Sequence, residues 1–188
     1  MSKQKLKYLI LLNLTWSILG IYADWEWLSQ VPSYLIPFTA ICSLYPPLLT
    51  IWYSLKLRGI NPPNWLTLWI LVGTTTYGIL AQIYFPLLMS WKGINFHDIG
   101  SMFWVAVYGT QAFILYKYLK PPTRTAIAWV IIFYAAVDYS HYFAKTFVDL
   151  TLPNYPVWLG TLSAILVIAL QLGTLTYYAM RHPAQIKS

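Results

Sequence analysis

The sequence predicts an all-α, polytopic membrane helix bundle. It is a single integral membrane domain over residues 1–188, with six transmembrane helices and both termini cytoplasmic. Three observations predict this. Only 9% of residues are charged and 59% are hydrophobic, against about 25% charged in a soluble domain. Six runs are nearly free of charge, and each approaches the ~20 residues that carry a helix across a bilayer. Ten of the twelve Lys and Arg residues fall in alternate gaps between those runs, the asymmetry that places basic loops in the cytoplasm.

The first run, Tyr8 to Ala23, follows Lys3, Lys5 and Lys7. It lacks a small-x-small cleavage site and reads as a retained helix, not a signal peptide. The second, Ser33 to Leu55, contains Pro37, Pro46 and Pro47. Each proline removes a backbone hydrogen bond and crowds the preceding turn. Such a helix is either kinked or broken beside a cavity. A kink is the preferred reading, since proline is common in membrane helices.

The third run, Trp65 to Trp91, is long enough to tilt or to bend at Pro86. The fourth, Ile99 to Tyr116, follows Asp98, which suits a helix N-cap. The fifth is Thr125 to Phe143 and the sixth is Pro156 to Met180. Strands of a β-barrel are excluded, because they would be ~10 residues long and alternate in polarity. The turns "LRGINPPNW" and "YLKPPTRT" are short and proline-marked, so their flanking helices run antiparallel.

The net charge of +7 does not point to nucleic acid. The basic residues are scattered singly or in small groups at segment ends. They suit the anionic headgroups of the lipid bilayer, so a multi-pass protein of the plasma membrane is expected. The single cysteine, Cys42, excludes an internal disulfide. No cofactor and no metal are predicted: His97 and His141 lie in distant segments, and no His-x-x-His, Glu-x-x-His or Cys pair is present. Most aromatics sit at run ends, as an interfacial belt requires. Trp16, Trp69, Trp104 and Tyr77 lie deeper, where core packing is preferred over lining a cavity.

Asp138 is the only acid inside a predicted span. In "AVDYSHYFAK" it shares a helix face with His141, Tyr142 and Lys145, at i, i+3, i+4 and i+7. Three uses are open to this stripe. It could be interhelical polar glue, a proton path or polar ligand site open to the outer face, or the weaker case of a metal site. Glue is the preferred reading. Phosphate-loop, nucleophile-elbow and zinc-protease motifs are absent.

The order of several short motifs resembles the YpjA-like family of uncharacterised multispanning bacterial and archaeal membrane proteins. "GIYADWEWLSQVPSYLIPF" keeps Gly20, Tyr22, Leu28, Pro32, Pro37 and Phe38 in step with that family. Tyr77-Gly78 in the third run, Gln111 in the fourth and Asp138-Tyr139 in the fifth follow in order. The resemblance spans roughly residues 16–158. It marks Tyr77 and Gln111, with Asp138, as ligand or proton-path candidates. Ala40 and Ile41 replace the family's Pro-Asp, Thr76 its Lys, and Ala135 and Ala136 its Asn-Asp. The resemblance also implies a setting near the respiratory chain, since genes of some members lie beside those of menaquinol–cytochrome c reductase.

The sequence as a whole thus predicts a non-catalytic accessory, assembly or small-ligand-binding component, with a larger membrane protein complex as its candidate partner. The alternative is a small transporter that uses the second run and Asp138. With one intramembrane acid and no evident nucleophile, catalysis is the least favoured class.

Overall fold

The computed structural model describes residues 1–39, 41–144, 146 and 153–181, with the side chains of 41, 42, 179 and 181 excepted. The described residues form helices joined by short turns and loops, with no strand among them. The helices are α1 (Lys3–Leu28), α2 (Ile36–Thr39), α3 (Ile41–Leu57), α4 (Asn64–Lys92), α5 (Phe96–Thr110), α6 (Ala112–Tyr116), α7 (Arg124–Asp138) and α8 (Val157–Arg181). A π-helical turn (Tyr139–Phe143) continues α7.

Among the described residues, five helical stretches are long and apolar enough to cross a bilayer: Lys3–Leu28, Asn64–Lys92, Phe96–Tyr116, Arg124–Phe143 and Val157–Tyr178. The second run is described as α2 and α3, which flank residue 40, outside the described residues. Pro46 and Pro47 nevertheless lie inside α3, and Pro86 lies inside an unbroken α4. Thr50 Oγ1 donates back to the Pro46 carbonyl one turn earlier at 2.9 Å, the local bond by which a helical Thr satisfies its own hydroxyl.

α4 runs through the middle of the bundle and packs on α5, α8, α3 and α7, while α1 packs on α3. Gly78 of α4 and Gly109 of α5 set the closest crossing. A Cβ on either would come within 2.8 Å of the other's Cα, so only glycine permits this approach. A Cβ on Gly73 would fall inside the Tyr45 ring. The missing side chain lets the phenol pass α4 and reach Tyr134 on α7, with 2.6 Å between the hydroxyls. Tyr134 donates its one proton to the Trp69 carbonyl at 2.9 Å, so Tyr45 is the donor to Tyr134.

Polar side chains face inward and large apolar ones outward. Asn13, Gln111, Ser140, Ser163 and Gln171 are buried, whereas Ile18, Phe113, Trp129 and Phe143 are 63, 75, 66 and 78% exposed. In hydrocarbon, which cannot hydrate them, polar groups need partners within a bundle.

The end of the bundle carrying the proline turns is closed by local pairs. Asn64 Nδ2 donates to the Lys120 carbonyl, and Lys120 N donates to Asn64 Oδ1, both at 2.9 Å. The Lys56 ammonium donates to Asn61 Oδ1 and lies 4.4 Å from the Tyr118 ring centroid. Partial burial, and then the neighbouring Lys120 charge, hold Lys56 below its ordinary pKa.

Two sequence expectations are corrected here. α1 does not stop near Ala23 but continues to Leu28, so Asp24 and Glu26 lie on a helix and not in a loop. The cap of α5 is Asn95, whose side chain accepts from Asp98 N. Asp98 instead sits buried in the first turn, where its charge still favours the positive end of the helix dipole.

Candidate ligand cavity

A cavity of about 580 Å³ opens among α1, α3, α4, α5, the π-turn and α8. Its lining comes from the half of each helix farthest from the proline turns: residues 16–27 of α1, 77–92 of α4, 97–108 of α5, and Ser163 near the start of α8. The walls are mostly apolar and rich in rings, including Trp16, Trp27, Tyr77, Tyr84, Trp104 and Tyr108. This size and chemistry suit a small molecule. Trp16 and Trp104 meet face to face across the α1–α5 side. Under the floor, Tyr45 contacts Tyr77 and Tyr108, with ring centroids 5.9 and 6.0 Å away. Leu49, Trp52 and Tyr53 below it are fully buried.

Few polar groups reach this space. On α1, Asp24 accepts a short hydrogen bond from Ser43 of α3. Gly20 makes room for it, since a Cβ there would stand 3.3 Å from Ser43 Oγ. At the rim, Asp98 is held by Lys92 Nζ at 3.1 Å and accepts from Asn95 Nδ2 at 2.6 Å. His97 Nδ1 stands 3.7 Å from the same carboxylate.

The π-turn supplies the remaining polar lining. His141 Nε2 lies 3.2 Å from the Thr39 carbonyl. The ring therefore carries its proton on that nitrogen, since a carbonyl can only accept. Tyr142 OH meets Ser163 Oγ at 2.8 Å. Thr146 Oγ1 donates to the Ser140 carbonyl at 2.9 Å. That directs a hydroxyl chain from Thr39 to Ser140, and on to Thr146, over 3.2 and 2.8 Å.

The residues singled out from the sequence divide accordingly. Tyr77, His141 and Tyr142 line the cavity, and Asp138 and Gln111 do not. Asp138 accepts from Gln171 Nε2 of α8 at 3.2 Å. Gln111 interrupts the fourth run between α5 and α6 and pairs with Asn13. Lys145 lies outside the described residues. The expected single stripe is split by the π-turn, with His141 bonded to α2 while Asp138 and Tyr142 bond to α8. Of the deep aromatics read as core packing, Trp16, Tyr77 and Trp104 line the cavity. Trp69 packs edge-on against Phe133.

Asp24, Ser43 and Asn13 were not singled out as site residues. Asn13 left a signal, as an amide in the middle of an apolar run. The pairing of Asp24 with Ser43 did not, because it depends on how two helices approach.

No protein-family model, curated protein or solved structure matches this chain.

Proposed function

We propose that this chain is a non-catalytic, multi-pass plasma-membrane protein that binds a small amphipathic molecule in the cavity. The observation that carries the reading is the cavity's construction: ring-lined apolar walls assembled from separate helices, with a few fixed polar groups turned inward. The proposed topology has six crossings, with α2 and α3 together supplying the second. α3 alone would span ~25 Å at the usual helical rise. Its buried Tyr45, Leu49, Trp52 and Tyr53 anchor it in the bundle. The distribution of Lys and Arg supports cytoplasmic termini, and with them a cavity opening to the outer side. Membership of the YpjA-like family, and an accessory place in a respiratory complex, belong to the same proposal. They rest on the ordered motifs from Gly20 to Asp138.

The test is ligand-induced stabilisation. A ligand at a hundredfold its Kd stabilises its protein by ~2.7 kcal/mol. Purified protein is melted against a panel of small amphipathic molecules, beside Ala81→Phe, which places a ring in the cavity. A compound that raises the melting temperature of the wild type and not of Ala81→Phe supports the reading. Equal shifts in both proteins, or no shift with any compound, count against it.

A second reading, a small transporter, is favoured by one observation. Pro46 and Pro47 lie inside α3, where Pro46 lines the cavity, and proline-interrupted helices mark transporter sites. Uptake of the stabilising compound into proteoliposomes supports this reading; binding without uptake favours the first.

A further inference from the structure

We infer that the cavity takes an organic ammonium cation carried on an apolar body, with Asp24 as its counter-ion. The inference rests on the proposal that the cavity binds a small molecule, and adds the charge and chemical class of that molecule.

The charges facing the cavity do not balance. Asp98 is matched by Lys92, with one carboxylate oxygen at 3.1 Å and the other at 3.2 Å. Asp24 has no such match: no Lys or Arg forms an ion pair with it among the described residues, and the group that acts on it electrostatically is the imidazole of the exposed His97. Its one hydrogen bond among those residues comes from the neutral Ser43 hydroxyl and reaches Oδ2, so Oδ1 is left to accept. Asp24 is half-buried on a wall that also carries Trp16, Trp27 and Tyr77. A carboxylate in such surroundings is costly unless something pairs with it.

The walls choose the same sign. Indole and phenol faces are negative at their centres and attract ammonium groups, the arrangement by which aromatic cages hold quaternary amines. An anion would meet Asp24 and the ring faces and be repelled by them, while Lys92 is already engaged by Asp98. A neutral guest would fill the apolar space but leave Asp24 unmatched. The fit is therefore an alkyl or aryl ammonium, its head at Asp24 and its body against the rings.

The test uses two probes of equal shape, phenethyltrimethylammonium and the neutral hydrocarbon with carbon in place of the ammonium nitrogen. Both are titrated into wild-type protein in neutral detergent, with tryptophan fluorescence as the readout. Tighter binding of the cation by tenfold or more is expected. Asp24→Asn should remove that preference, and Asp24→Glu should keep most of it. Equal affinities in the wild type, both lost in Ala81→Phe, would overturn the charge assignment and leave the cavity reading standing. Binding of both probes undiminished by Ala81→Phe would overturn the cavity reading as well. Failure of the cation to bind overturns the assignment. The comparison in wild type needs no variant to fold.

An ammonium group reaches a membrane protein from solution or from a lipid headgroup. Repeating the titration in nanodiscs separates the two. A weaker apparent affinity in phosphatidylethanolamine than in phosphatidylglycerol assigns the site to headgroups, and equal affinity assigns it to a dissolved amine.

Discussion

Asn13 and Gln111 face one another as a reciprocal amide pair. Asn13 Nδ2 donates to Gln111 Oε1 at 2.9 Å, and Gln111 Nε2 donates to Asn13 Oδ1 at 3.2 Å. Asn13 Nδ2 also reaches the Leu9 carbonyl at 2.7 Å, which fixes the orientation of its amide. Both residues are buried, and they join α1 to the interruption between α5 and α6. Interhelical polar contacts of this kind are worth ~0.6–2 kcal/mol in membranes. Replacing one partner costs more, since a buried amide left unmade loses ~1–3 kcal/mol. Asn13→Leu and Gln111→Leu should each destabilise by ~1–3 kcal/mol, and the double variant by clearly less than their sum. Unfolding in detergent across the four proteins measures the coupling. Strict additivity would deny that the pair acts as a unit.

Gly73 and Tyr45 are predicted to be non-additive for a steric reason. A Cβ at Gly73 takes the space of the Tyr45 ring, and overpacking of this kind costs ~1–3 kcal/mol. Gly73→Ala should therefore lower the melting temperature. Adding Tyr45→Ala removes the clash, so the double variant should lose less than the two single losses combined. If Gly73→Ala melts like the wild type, the cradle is not real.

Asp138 receives its hydrogen bond from an amide, Gln171 Nε2, and Asn can accept that bond as well as Asp. Asp138→Asn should thus stay within ~0.5 kcal/mol of wild type, whereas Asp138→Leu should lose ~1 kcal/mol or more. Ligand binding should be unchanged in Asp138→Asn, since residue 138 does not line the cavity. A folded Asp138→Asn protein that no longer binds ligand would make the charge itself functional.

Topology is open to labelling. Ile94 is 80% exposed between α4 and α5, and Ile60 is 50% exposed between α3 and α4. In a Cys42→Ala background, an impermeant maleimide added to intact cells should label Ile94→Cys and spare Ile60→Cys. The reverse pattern would place the termini outside.

The elements were legible where proline and glycine govern the backbone. The second run was drawn to Leu55 and α3 ends at Leu57; the third was drawn from Trp65 and α4 begins at Asn64. Thr123 caps α7 with its side chain, accepting from Ala126 N, so the helix begins at Arg124, one residue before the expected start. The end of the first run is the exception. Asp24 and Glu26 oppose the negative end of the α1 dipole, so they looked like loop, yet the helix continues through them to Leu28. The π-turn left no mark, because "YSHYF" suits an α-helix equally. Tyr77, His141 and Tyr142, three of the six candidates, line the cavity; polarity inside an apolar run is visible in one dimension. Asp24 with Ser43, and Gly73 with Tyr45, are relations between helices, which periodicity within a single helix does not encode.

The Tyr45 phenol enters α4 at Gly73, ends against Tyr134 on α7, and rests under Tyr77 and Tyr108. It works as a bolt through three helices. While it is shot, a buried ring blocks the way between α3, α4 and α7 beneath the cavity. Drawing it would break its hydroxyl contact with Tyr134 and its packing with Tyr77 and Tyr108. A guest of the proposed cavity would therefore come and go at one end of the bundle.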